Sequence, residues 1–140
     1  MDEDDLSFLN KSINNENNKN ITNKTFKDIN DEKVDVLKNL NISKKDTNNL
    51  IKKLKDYQYI DEFQELIQGR YIRYINLLNP NNIKLSNGGL LCEIKIEDYV
   101  ALVLKNNLNK FFQINLDENL IFQKLSDQEK IILYALDVIS

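Results

Sequence analysis

The 140-residue sequence contains no histidine, one cysteine, one proline and three glycines. Without histidine it lacks the side chain that most often serves as a general base near neutral pH and most often ligates zinc. Ser-His-Asp triads and zinc deaminase sites are excluded on that ground. The single cysteine, Cys92, allows no intrachain disulfide, so the fold has to stand on packing, and an intracellular, reducing compartment fits. No stretch approaches the roughly 20 apolar residues of a membrane span. The start, Met1-Asp2-Glu3-Asp4-Asp5, also lacks the basic and apolar regions of a secretory signal. A soluble protein without membrane contact is expected. The four Asn-X-Ser/Thr tripeptides, beginning at Asn10, Asn20, Asn23 and Asn41, are then chance products of an Asn-rich composition.

An excess of positive charge is missing as well. Residues 1–69 carry 11 Lys/Arg against 14 Asp/Glu, and residues 70–140 carry 8 of each. Duplex binding draws much of its affinity from counterions displaced by basic side chains, and neither half of the chain has that surplus.

What the sequence does contain changes character along its length. Residues 1–30 are Asn, Lys and acidic residues with scattered apolar positions, too few to offset the ~1–2 kcal/mol per residue that backbone ordering costs. A disordered tail is expected there. In residues 31–68 a short helix is expected over Glu32–Leu40, from Val34, Leu37 and Leu40. A longer one should follow Ser43 or Asp46, with Leu50, Leu54, Tyr57, Ile60, Phe63 and Leu66 or Ile67 at helical spacing and Gly69 as its stop.

From Gly69 the period becomes two. Tyr71, Arg73 and Ile75 fall on one side of a strand, with Ile72 and Tyr74 on the other. A brief Ile83-Lys84-Leu85 follows, and Asn87-Gly88-Gly89 supplies the backbone freedom of a tight reversal. Leu90, Cys92, Ile94 and Ile96 then alternate with Leu91, Glu93 and Lys95 in a long strand whose first set faces a core. Tyr99–Lys105 reads as a central strand, and Phe111–Leu116 and Leu120–Lys124 complete the set. Five strands in residues 69–125 joined by short turns suggest closure into an SH3-like or Tudor-like antiparallel barrel, which removes exposed sheet edges. Ser126-Asp127-Gln128-Glu129 is a capping box opening a C-terminal helix over residues 126–140, apolar on nearly every side. The expected fold class is therefore α+β: a five-stranded barrel flanked by an N-terminal and a C-terminal helix, preceded by a disordered tail.

Few residues carry chemistry. Cys92 lies in the apolar row of its strand with no histidine to activate it, and reads as a core residue. Asp2–Asp5 cannot converge on a metal ion from a flexible tail. They read as solvated tail, or as steering charge for a linear motif in which Leu6, Phe8 and Leu9 dock into a partner's groove. Arg70 and Arg73 are the only arginines and stand beside Tyr71 and Tyr74. Planar guanidinium and aromatic groups together suit nucleic acid or an acidic peptide. The other reading packs the tyrosines at a barrel rim and pairs the arginines with Glu93 or Glu97.

Gly69-Arg70-Tyr71-Ile72-Arg73-Tyr74-Ile75, Asn87-Gly88-Gly89, Val103-Leu104-Lys105-Asn106 and Ile121-Phe122-Gln123-Lys124 resemble small β-barrel proteins of large nucleocytoplasmic DNA viruses. The resemblance covers the β segment and implies a virus-encoded, non-enzymatic protein, located in the virion or the host cytoplasm. The Asn, Lys and Ile bias is compatible with that source.

The leading expectation is a virion-associated interaction or structural module without cofactor or metal, with a protein partner or self-association through the C-terminal helix. Single-stranded nucleic acid binding through Arg70, Tyr71, Arg73 and Tyr74 is the alternative.

Overall fold

The computed structural model describes residues 24–139, which fall into two compact units. Leu6, Phe8 and Leu9 lie outside the described residues. Helix α1 (Phe26–Lys38) contributes its first turns to one unit and its last to the other. It begins at Phe26, inside the stretch expected to be disordered, and Thr25 opens it: its Oγ1 accepts from Asp28 N at 3.2 Å while Asp28 Oδ2 accepts from Thr25 N at 3.1 Å. This reciprocal cap is a local signal that the polar composition obscured.

In the first unit, Ile29 of α1 packs with Leu125 and with Ile132, Leu133 and Ala135 of the C-terminal helix α3 (Asp127–Ile139). The capping box is present: Ser126 Oγ accepts from Glu129 N at 3.1 Å, and Glu129 Oε1 accepts from Ser126 N at 2.8 Å.

The second unit, Lys33–Lys124, holds an antiparallel sheet in the order β1-β6-β2-β3-β4-β5. Its strands are β1 (Tyr57–Ile60), β2 (Tyr71–Asn76), β3 (Gly89–Ile96), β4 (Val100–Lys105), β5 (Phe111–Asn115) and β6 (Asn119–Lys124). The five-stranded closed barrel is thereby corrected to a six-stranded open sheet. The added strand comes from the segment expected to continue a helix. Helix α2 (Lys44–Lys53) does start at the Ser43 cap, whose Oγ accepts from Asp46 N, but it ends before Leu54. Tyr57-Gln58-Tyr59-Ile60 then buries alternate residues and pairs with β6 from Tyr57↔Lys124 to Ile60↔Ile121. Leu54, Tyr57 and Ile60 are three apart and suit a helix equally well. The β-forming aromatic residues and an available partner strand decide the outcome. The change of period therefore falls between Leu54 and Tyr57, and Gly69 (φ +86°) stands in the turn before β2, its N–H donating to Leu91 O.

Two further corrections come from bulges. The β3–β4 register shifts between Leu91 and Glu93, so Cys92 is the extra residue of a bulge. One extra residue reverses the alternation, and Leu91 is buried while Leu90 and Cys92 are exposed. Cys92 is thus not a core residue. Along β2, Leu85 bridges Ile75 and Gly89 pairs with Ile72, a mismatch of one residue that Gly88 absorbs at φ +75°. Asn87-Gly88-Gly89 is a bulged continuation beside β2 and not a tight reversal. The reversal lies earlier, where Asn82 N donates to Asn79 O.

Apolar residues line both faces of the sheet. One face gathers Ile60, Ile72, Leu91, Leu102, Leu104 and Ile121, and the other packs Ile75 and Phe122 against Leu37 of α1 and Leu50 and Leu54 of α2. Gln58 and Gln123 pair across β1 and β6 and are both fully buried. Gln123 accepts from Ile67 N at 2.8 Å and donates to Glu65 O at 3.3 Å, which holds the 3-10 turn Phe63–Glu65 against the sheet.

Lys33 is buried on the same unit and donates from Nζ to Leu54 O at 2.8 Å, a cation at the end of α2 where carbonyls lack helical partners. Burial pushes its ammonium below the usual lysine range, with Asp56 pulling the other way. The unfolded chain then binds more protons between the folded pKa and 10.5, so this group makes stability rise with pH across that window. Tyr57 and Tyr59 act in the opposite sense. Burial raises both above 10.0, and their contribution, complete below that value, is lost as pH passes through the folded pKa. The urea midpoint of the wild type should therefore climb on approaching pH 10.5 from below and then fall. Lys33→Met should remove the climb and keep the fall; identical profiles for both proteins would refute the assignment to Lys33.

Candidate binding surfaces on the sheet

Residues Arg70, Tyr71, Arg73 and Tyr74 do not form one cluster. Tyr71 and Arg73 alternate with Ile72 and Tyr74, so the strand sends the first two to the face with Phe122 and Tyr74 to the face with Leu102. Both guanidinium groups serve the backbone: Arg73 Nε donates to Ser86 O at 2.9 Å, and Arg70 Nη1 donates to Lys124 O at 3.2 Å.

Around Tyr71 the register assembles a row that the sequence scatters from Tyr57 to Lys124. Tyr57 pairs with Lys124, Lys124 follows the Gln123 that pairs with Ile72 and so stands next to Tyr71, and Tyr71 pairs with Leu90. Leu90 pairs with Lys105, and Lys105 with Phe111. Directly opposed residues share a face, so Tyr57, Lys124, Tyr71, Leu90, Lys105 and Phe111 cross all six strands side by side. At a strand spacing of ~4.8 Å the row is roughly 24 Å long. Leu90 is 43% and Phe111 65% exposed, Lys124 is exposed, and the other three are half-buried. Lys105 Nζ lies over the Phe111 ring, 5.9 Å from its centroid, which places a cation and an aromatic face at one spot. Tyr57 is held neutral by burial, the charge of Arg73 opposing and Tyr71 adding to the effect.

The charge divides with the fold. The sheet unit Lys33–Lys124 contains 14 Lys/Arg and 11 Asp/Glu, a net +3, while the remainder of the chain carries −6. A division at residue 69 conceals this because it splits the sheet unit from its own helix α2 and strand β1.

Tyr74 belongs to a second surface. A groove of about 420 Å³ is lined by Tyr74, Asn87, Asn106, Asn107, Leu108 and Phe112, with Ser86 and Gly88. The Tyr74 and Phe112 rings meet at 6.3 Å between centroids and 46°. Ser86 fixes its floor, accepting from Tyr74 N through Oγ at 3.1 Å and donating its own N–H to Tyr74 O at 2.9 Å. In the β4–β5 turn, Asn106 Oδ1 accepts from Leu108 N and Lys110 N, and Asn109 takes φ 59°, a conformation asparagine tolerates better than most residues. An adjoining groove of about 430 Å³ extends from Tyr74 along Asn76, Asn79, Asn82 and Lys84. Far apart in sequence, the Asn79–Asn82 turn, the bulge at Gly88 and the Asn106–Lys110 turn meet around one tyrosine.

Among the described residues no three His, Cys, Asp or Glu side chains converge, and no helix is long and apolar enough to cross a membrane. Set beside known protein families, curated proteins and solved structures, the chain matches none.

Proposed function

We propose that the chain is a non-enzymatic binding module whose sheet unit holds single-stranded nucleic acid across its six strands. The observation that carries this is the cross-strand row, with its aromatic rings at Tyr57, Tyr71 and Phe111 and its ammonium groups at Lys124 and Lys105. Rings stack on bases of any sequence, and the ammonium groups meet phosphates between them. The +3 charge of this unit favours the same ligand, whereas the net charge of the entire chain does not. The two arginines donate to the backbone of Lys124 and Ser86 and are not the principal contacts of the row.

Fluorescence anisotropy with a labelled single-stranded oligonucleotide at low salt tests the proposal. Phe111 is exposed, so Phe111→Ala should leave the melting temperature nearly unchanged while weakening binding about tenfold, in line with ~1–3 kcal/mol per stacked base. Lys105→Ala should weaken it by a similar factor and flatten the salt dependence. Wild-type protein that ignores the oligonucleotide at low salt, or a Phe111→Ala variant that binds as well as wild type, would end this reading.

One observation favours a second reading, a protein-interaction or structural module of the virion-associated kind. In α3, Ile131, Tyr134 and Val138 are all exposed at spacings of three and four, with Ile139 beside them. An apolar stripe of this kind suits a protein partner or a second copy of the chain. Light scattering across a concentration series, with Tyr134→Lys as the control, separates self-association from a monomer.

A further inference from the structure

We infer that the groove beside Tyr74 is a nucleobase pocket, taking one unstacked base of the strand held by the row. The inference rests on the nucleic-acid reading for its biological ligand, but the pocket's chemistry stands separately.

No charged side chain lines the first groove, so it has nothing to select a phosphate or carboxylate. Its polar groups are amides and a hydroxyl, which offer both donors and acceptors to a neutral partner. Its apolar groups are two rings set at 46° and the exposed Leu108. A flat ring with a hydrogen-bonding rim meets both requirements: one face against an aromatic wall, its edge toward Asn87, Asn106 and Asn107. Single-stranded bases are read in this manner, stacked on aromatic side chains and hydrogen-bonded along an edge by amides. The volume of about 420 Å³ lies within the roughly 300–1,000 Å³ of small-ligand sites.

Continuity with the row decides between a base and another neutral ring with an apolar face, such as a pyranose. The Tyr71 hydroxyl, in the row, donates to Asn87 O at 2.9 Å, in the groove. That bond uses the Asn87 backbone, leaving its side-chain amide outside it. Phe111, in the row, is followed by Phe112, in the groove, on the opposite side of β5. A strand lying on the row reaches the sheet end between the Asn87 bulge and the Asn106–Lys110 turn, where a base turning over the rim meets Tyr74. The neighbouring groove, with Lys84, adds a cation where the next phosphate would lie.

The test titrates the full-length protein, observed by heteronuclear NMR, with the four common nucleosides and separately with methyl glucoside, and then measures oligonucleotide affinities. At least one nucleoside should shift Tyr74, Ser86, Asn87, Asn107 and Phe112 while leaving Tyr57 and Lys124 in place, and methyl glucoside should shift none. Among homopolymeric oligonucleotides the wild type should prefer one base by about fivefold or more. The N87A/N107A double variant, at two exposed positions, should reduce that preference to near unity with a less than threefold change for an oligonucleotide abasic at its centre. If no nucleoside shifts the groove, or the glucoside shifts it as strongly, the base pocket is overturned. If oligonucleotides bind and the double variant keeps the preference, the pocket is overturned while the row stands. Nucleoside shifts in the groove without any oligonucleotide binding would support the pocket and overturn the row.

Discussion

Replacing Gly88 with alanine should destabilise the sheet unit by about 2–5 kcal/mol and abolish ligand binding by both surfaces. Two effects add. Gly88 has φ +75°, where an L side chain costs ~1–2 kcal/mol. A Cβ there would also stand 1.8 Å from Ile72 O and 2.8 Å from Ile72 C. These are backbone atoms of β2, so no rotamer change relieves the contact, and the overpacking adds ~1–3 kcal/mol. Gly69 isolates the first effect: its φ is +86° but nothing lies within 4 Å of its missing Cβ. Gly69→Ala should therefore cost only the conformational part. Urea unfolding of both variants provides the comparison, and equal losses would show that the close approach to Ile72 does not matter. Because the bulge at Gly88 sits between Tyr71 and Tyr74, its displacement would misalign the row and the groove together.

Phe122→Ala is expected to cost about 3–5 kcal/mol, the range for emptying a buried aromatic site. Phe122 has no exposed surface and lies opposite both Tyr59 of β1 and Arg73 of β2, with its ring 5.8 Å from that of Tyr59. It also packs with Leu37, Leu50 and Leu54, so one side chain joins the sheet to two helices. Against a total stability of typically 5–15 kcal/mol, such a loss would leave a substantial unfolded population at physiological temperature. Phe122→Leu, which refills most of the space, should recover more than half of the midpoint. A variant with alanine at this site that melts like the wild type would mean that the helices do not depend on the sheet for their packing.

Where local pattern and tertiary pairing agree, the sequence was readable. The alternation through Tyr71–Ile75, the apolar Val100–Lys105 and the Ser126–Glu129 box all act within a few residues. Strand β1 was not readable, because Leu54, Tyr57 and Ile60 satisfy a helical period and only pairing with β6 resolves the ambiguity. Closure into a barrel was inferred from strand count, whereas β1 at one end and β5 at the other leave the sheet open. For the candidate surfaces, the facing of Tyr71 and Arg73 on one side was evident from the period of two. Their companions were hidden: Tyr57, Lys124, Leu90, Lys105 and Phe111 meet only through five strand pairings, and the chain leading through β3 carries a bulge at Gly88 and another at Cys92 that no residue pattern announces.

The bulge at Cys92 sets which side of β3 faces inward from Glu93 onward. Were Cys92 to take a regular place in the ladder, it would stand opposite Val103 and Glu93 opposite the buried Leu102, driving the Glu93 carboxylate toward the packed interior and Ile94 to the other face. Insertions and deletions should therefore be far better tolerated in the Leu77–Asn82 connection than in this strand, although both regions meet solvent.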